Sequence, residues 1–192
     1  MTGTAIRSEA PTDFATIAHV VEAAFGSPAE ARLVEAIRAS DMYEPDLSLV
    51  AEVEGRVVGH VMISAATLVR ERGSRRIVML SPLAVAPECQ RQGIGAALVH
   101  AAVGGAEAKR EPLVVLEGSP AYYGALGFEP ASEYGIELPL PSWAPPEAAQ
   151  VVRLPAYSPS LRGRVVYPPA FDAVTEHDGS DGTDGPPAGG VR

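Results

Sequence analysis

The chain has 192 residues, 46% of them hydrophobic, a formal net charge of −9 and a single cysteine. That is enough apolar material for one domain with a sizeable core, while Cys89 alone excludes a disulfide framework and a multi-cysteine zinc site. The acidic balance argues against nucleic-acid binding, no apolar run nears the roughly 20 residues of a bilayer span, and no export leader opens the sequence, so cytoplasmic residence is expected.

Residues 4–8 read as a first strand. Pro11-Thr12 opens a helix in which Phe14, Ile17, Val20, Val21, Ala24 and Phe25 recur at helical spacing. Ser27-Pro28-Ala29-Glu30 has the form of a capping box with proline at the first helical position. It predicts a second helix to about residue 40, with Ala31, Leu33, Val34 and Ile37 on its apolar stripe. Residues 47–53 and 56–69 follow as strands joined by the tight turn Glu54-Gly55. Gly73-Ser74 then turns the chain into an apolar strand over 77–85. Pro82 interrupts this strand; lacking a ladder N–H, it marks a bulge or a place where neighbouring strands part.

After that strand comes a short polar turn, Glu88-Cys89-Gln90-Arg91-Gln92-Gly93-Ile94-Gly95, and then a helix over 95–109. Leu98, Val99, Ala102 and Val103 supply its buried face, and Gly104-Gly105 are expected to end or kink it early. A helix N-terminus carries unpaired N–H groups and partial positive charge, so a glycine-bearing start is an anion cradle. The dinucleotide fingerprint fails because Leu98 stands where its third glycine belongs. A P-loop fails because Ala96 and Ala97 replace its Lys-Ser/Thr. What fits is Gln/Arg-x-x-Gly-x-Gly/Ala, met by Gln90, Gly93 and Gly95.

Residues 113–116 form the next strand, Ser119-Pro120 caps a short helix holding Tyr122 and Tyr123, and Gly127-Phe128 leads into another strand. Prolines crowd the region from Pro139 to Pro187, within which 150–154 and 164–167 remain strand-like. Three regions are expected: a core over 1–137, an extension over 138–172 packed on it, and a disordered acidic Gly/Pro/Asp tail over 173–192. Tyr157, Tyr167, Phe171 and Trp143 are the expected packing anchors of the extension.

The cradle, together with Tyr122-Tyr123-Gly124-Ala125-Leu126-Gly127-Phe128, resembles the GNAT superfamily of acetyl-CoA-dependent N-acetyltransferases. Val58-Gly59-His60-Val61, residues 80–88, Pro120-Ala121-Tyr122-Tyr123-Gly124 and Val166-Tyr167-Pro168-Pro169-Ala170-Phe171 are most similar to its YhbS-like branch. The resemblance implies an α/β (α+β) fold, with a mixed, mostly antiparallel sheet flanked by helices and splayed at the acetyl-CoA strand. It also implies acetyl-CoA as donor and a small-molecule or protein amine as acceptor, with a homodimer left open; His19, His60, His100 and His177 show no metal-ligand spacing, so no metal is expected. Leu83, Ala84 and Val85 would pair through their backbone with the pantetheine arm, one of their N–H groups polarising the thioester carbonyl. Gln90, Arg91, Gln92, Gly93, Ile94, Gly95 and Ala96 would hold the pyrophosphate. Tyr123 would protonate the departing thiolate, while Tyr122 packs.

Some members of the superfamily carry a basic glutamate on the strand before the cradle, and here that position falls on Met79. Glu117 is the best replacement by position, ahead of His60 and Ser81. The reading expected is transfer of acetyl to a primary amine by direct attack. The alternative is a catalytically inactive acyl-CoA-binding sensor or interaction module.

Overall fold

Runs that are apolar at every position, rather than at alternate ones, belong to strands covered on both faces. The computed structural model, which describes residues 3–171, gathers such runs into one nine-stranded sheet. In chain order the elements are β1 (Ala5–Ser8), α1 (Phe14–Phe25), α2 (Ala29–Arg38), β2 (Tyr43–Val53), β3 (Arg56–Val69) and β4 (Ser74–Val85). They continue as α3 (Ile94–Ala108), β5 (Leu113–Glu117), α4 (Pro120–Gly124), β6 (Glu129–Pro130), β7 (Ile136–Glu137), β8 (Ala149–Arg153) and β9 (Gly163–Val166). The main path runs β1-β2-β3-β4-β5-β8-β6, and β9 pairs with both β3 and β7. Only β4–β5 and β7–β9 are parallel, so the sheet is mixed and mostly antiparallel, flanked by helices as expected.

Neighbouring residues of the central strands point to opposite faces. Leu49, Val61 and Val85 meet Leu98, Val99 and Ala102 of α3. Val50, Met62 and Ala84 meet Ile17, Val21, Val34 and Ile37 of α1 and α2 on the other side. A third cluster joins Leu113, Val115, Val151 and Val165 under Tyr157, Tyr167 and Phe171.

The site is positioned by a fork. β4 pairs with β5 only at Val78↔Val114 and Met79↔Val115, then runs on to Val85 with that edge uncovered. On its other edge the register steps from Ile63↔Leu80 to Val61↔Leu83, an extra residue on β4 at Ser81-Pro82. The parting from β5 therefore starts after Met79, just ahead of the bulge at Ser81-Pro82.

Several local expectations are corrected. The Ser27 hydroxyl accepts from the Ala29 N–H at 3.1 Å, and Pro28 is the cap residue rather than the first helical one. Glu30 lines the cavity described below. α3 runs through Gly104 and Gly105 without a break; a Cβ at Gly105 would lie 2.8 Å from Leu47 Cδ2, so the glycine lets the helix lie close on β2. Trp143 is 61% exposed and anchors nothing, since its proline-flanked loop lies outside the three apolar clusters. The tail assigned to 173–192 lies outside the described residues. Among those described, no helix is long and apolar enough to cross a membrane.

Candidate active site

The open edge of β4 offers backbone groups whose direction follows from the ladder. The Ala86 N–H donates to Val58 O at 2.8 Å, and Ala84 stands opposite His60. Alternation turns the peptide groups of Ala84 toward β3 as well, and those of Leu83 and Val85 toward the fork. Val85 O accepts from Gln90 Nε2 at 3.0 Å. The groups facing the fork are thus the N–H and C=O of Leu83 and the N–H of Val85. This corrects the expectation for Ala84, whose backbone is taken up by the sheet.

The cradle begins with a single 3-10 turn, Pro87–Cys89, which the Gln90 N–H closes on Pro87 O at 3.4 Å. With its amide and side chain both engaged inside the turn, Gln90 shapes the cradle rather than lining it. Gly93 caps α3 at φ 83°, a left-handed conformation that a side chain disfavours. The first amide of the helix with a carbonyl partner is that of Ala97, on Gly93 O at 3.0 Å. Those of Ile94, Gly95 and Ala96 precede it and are left for a ligand or solvent. Arg91 and Gln92 are exposed beside them, and Gln92 Nε2 donates to Glu88 O at 3.2 Å.

Gly95 is buried, and the reason is steric: a Cβ there would lie 2.6 Å from the Tyr122 hydroxyl and 3.7 Å from Val85 Cγ2. Tyr122, expected only to pack, thus brings an O–H to the start of α3 while its ring rests on the core.

A cavity of about 790 Å³ occupies the fork, with Met79, Leu83, Glu117, Gly118, Tyr123 and Tyr167 in its lining. Its outer wall is apolar, from Phe25, Leu33, Pro139, Pro141, Val166 and Phe171, with Glu30 and Arg164 as further charged groups. Val115 pairs with Met79, so Glu117 emerges on the same face roughly 7 Å further along the strand. Burial raises the Glu117 carboxyl above its ordinary value, against an opposing hydrogen bond from Tyr167.

Tyr123 rises from α4 over Gly118, where a Cβ would collide with the ring. It stands edge-on to Tyr122 at 4.9 Å and to Phe128 at 5.6 Å. Burial, and then the neighbouring Tyr122, push its phenol above the ordinary value, so it remains protonated at neutral pH.

Glu117 and Tyr123 therefore share one cavity with Leu83, and the cradle lies at the far end of the same β4 edge. Ser81 is also in the lining. His60 is not: it is fully buried on the α1–α2 face, its Nε2 3.1 Å from both Ser48 Oγ and Glu9 Oε2. Cys89 is a half-buried free thiol in the cradle turn. Among the described residues no group of three or more His, Cys, Asp or Glu side chains could hold a metal ion. The sequence reading missed the contributions of Glu30, Arg164 and Tyr167. Only Tyr167 carried a signal, as part of a branch motif and as an expected packing anchor, with no role in the site attached.

A forked sheet with free amides along one strand, a bare helix start at its end, and a carboxylate and phenol across the gap is the build of an acyl-transfer site. The profile described as "Acetyltransferase (GNAT) domain" matches residues 5–131, and the chain belongs to this acetyltransferase family. It is 36% identical over 131 residues to the uncharacterized N-acetyltransferase YjhQ of Escherichia coli strain K12, covering 68% of this chain and 72% of that protein. It is 34% identical over 151 residues to the uncharacterized N-acetyltransferase YhbS of the same strain, covering 78% and 86%. The crystal structure of E. coli YhbS in complex with CoA has a TM-score of 0.80 at 29% identity, over 90% of this chain and 93% of that one. A GNAT family acetyltransferase from Brucella melitensis in complex with acetyl-CoA has a TM-score of 0.72 at 29% identity, over 90% and 100%.

Proposed function

We propose that the protein transfers acetyl from acetyl-CoA to a primary amine by direct attack in the fork between β4 and β5. The observation that carries this reading is the uncovered edge of β4, which runs from a cavity holding Glu117 and Tyr123 to the bare amides at the start of α3. The two structural neighbours crystallised with CoA and acetyl-CoA support the choice of donor. In this reading the pantetheine arm lies along Leu83 and Val85. The pyrophosphate sits on the amides of residues 91–96, with the Arg91 charge beside it.

An alkylammonium acceptor must lose a proton before its nitrogen can attack. Glu117 accepts that proton; its carboxyl, raised above its ordinary value, lies closer to the working pH of a general base than an unperturbed glutamate does. The free nitrogen forms a bond to the thioester carbon, and an outward N–H of Leu83 or Val85 receives the charge developing on the carbonyl oxygen. As the carbon–sulfur bond breaks, Tyr123 gives its proton to the thiolate. The nitrogen sheds a second proton as it becomes an amide; that proton restores the Tyr123 phenol, and Glu117 releases the first to solvent, a net release of one proton. The apolar outer wall suits an acceptor whose amine is carried on an apolar body.

Coenzyme release from acetyl-CoA against a panel of primary amines tests this. Turnover on at least one amine is expected, falling about a hundredfold in Tyr123→Phe at unchanged acetyl-CoA affinity. Full turnover in that variant would remove Tyr123 from the chemistry, and a chain with no affinity for acetyl-CoA would end the whole reading.

A further inference from the structure

Tyr167 lies beyond the 127-residue stretch that the family profile matches, just after β9, and yet it enters the cavity. β9 is held on the edge of β3 through Thr67↔Val166, Leu68↔Val165 and Val69↔Arg164. Val165 is buried in the third core cluster, and Phe171 leans against the Tyr167 ring at 5.2 Å and 46°. The phenol is thus held by a paired strand below and an aromatic ring beside it. Its hydroxyl donates to Glu117 Oε1, fifty positions earlier in the chain.

We propose, resting on the reading of Glu117 as the base, that Tyr167 is a positioning residue that orients the Glu117 carboxylate toward the acceptor amine. With Oε1 engaged by the phenol, Oε2 is the oxygen left to receive the substrate proton. The bond also favours the ionised form, the one a base needs, in a cavity whose burial favours the neutral acid. Burial and the facing carboxylate push the Tyr167 phenol well above its ordinary value, so it acts as a fixed donor throughout the working range. The charged side chains in the same lining are Glu30 from α2 and Arg164 from β9. The extension therefore supplies part of the catalytic apparatus as well as part of the packing.

The test compares the full chain with Tyr167→Phe and Glu117→Gln. The first removes the hydroxyl and keeps the ring on Phe171; the second keeps an oxygen for Tyr167 and removes the base. The first readout needs no acceptor: the side-chain carboxyl carbons are followed by NMR against pH, with Glu117 assigned from the signal missing in Glu117→Gln. The Glu117 midpoint should move to higher pH in Tyr167→Phe. The second readout is kcat/KM for the best amine of the panel against pH. Its acidic limb should move up in step, with kcat at neutral pH falling about tenfold and the amine KM changing less than about twofold. A Glu117 midpoint that does not move in Tyr167→Phe overturns the role of Tyr167 and leaves Glu117 standing as base. A Glu117→Gln enzyme with wild-type rate and acidic limb overturns the base assignment, and the positioning role with it.

Discussion

Gly93 and Gly95 look alike in the sequence, two small residues in one turn, yet they answer different demands. Gly93 is set by its left-handed φ of 83°, and no atom lies within 4 Å of where its side chain would go. Gly95 has ordinary backbone geometry and a neighbour in the way, the Tyr122 hydroxyl 2.6 Å from its missing Cβ. Gly95→Ala should therefore cost about 1–3 kcal/mol, as overpacking does, and weaken acetyl-CoA binding by displacing the start of α3. Adding Tyr122→Phe should restore most of both losses, because the oxygen in the way is then gone. Urea unfolding and calorimetric titration of the two single variants and the double variant measure it. Two independent, additive losses would show that the hydroxyl is not the obstacle. The turn demand at Gly93 was legible in the motif; the steric demand at Gly95 depends on a residue 27 positions away.

Between elements, one densely hydrogen-bonded carboxylate lies outside the fork. Glu9, next to β1, accepts from Arg38 of α2 at 2.8 and 2.7 Å, from the Tyr43 hydroxyl of β2 at 2.6 Å, and meets His60 of β3. This ties α2 to three strands on the face opposite α3. Burial opposes the charge on Glu9, but the bonds from Arg38, His60 and Tyr43 outweigh it and hold the carboxyl well below its ordinary range. Burial also pushes His60 below its ordinary value, against the pull of Glu9, so the ring is neutral in the fold. Both shifts act in the same direction on stability. Below about pH 6.5 the unfolded chain binds a proton at His60 that the folded chain refuses, so stability falls as pH drops. A second loss begins below the ordinary carboxylate value of 4.5, where unfolded Glu9 protonates first. The urea midpoint should decline from pH 7.5 to 5, and His60→Gln should flatten that decline. Glu9→Gln should cost about 3 kcal/mol at neutral pH by leaving Arg38 without its buried partner. A slope unchanged in His60→Gln would show that another group governs the acid limb.

At the scale of the molecule, the chain after residue 137 is woven into the sheet. β8 pairs with β5 at every position from Leu113↔Arg153 to Glu117↔Ala149, and β6 pairs in turn on β8. β9 covers the edge of β3. A chain ended at residue 137 would expose the apolar β5 as a sheet edge and strip the cover from the third cluster, a configuration prone to edge-to-edge association. Such a truncation should elute as aggregate in size-exclusion chromatography and lack a cooperative thermal transition. A monomeric, cooperatively melting product would show that residues 3–137 are self-sufficient.

The amino-acid pattern alone determined the element order through Tyr123 and the glycine turn that opens α3, because each is encoded in a short window of periodicity, capping or turn chemistry; the family was legible through the resemblance of its motifs. Only the tertiary structure decided that Ala84 faces the ladder while Leu83 and Val85 face the fork, since strand direction is set by a pairing partner. It also decided that His60 serves the fold, that Gly105 lets α3 lie close on β2, and that Glu117 meets Tyr167 in the cavity. Those are contacts between residues tens of positions apart. Local sequence records such residues without recording that they touch.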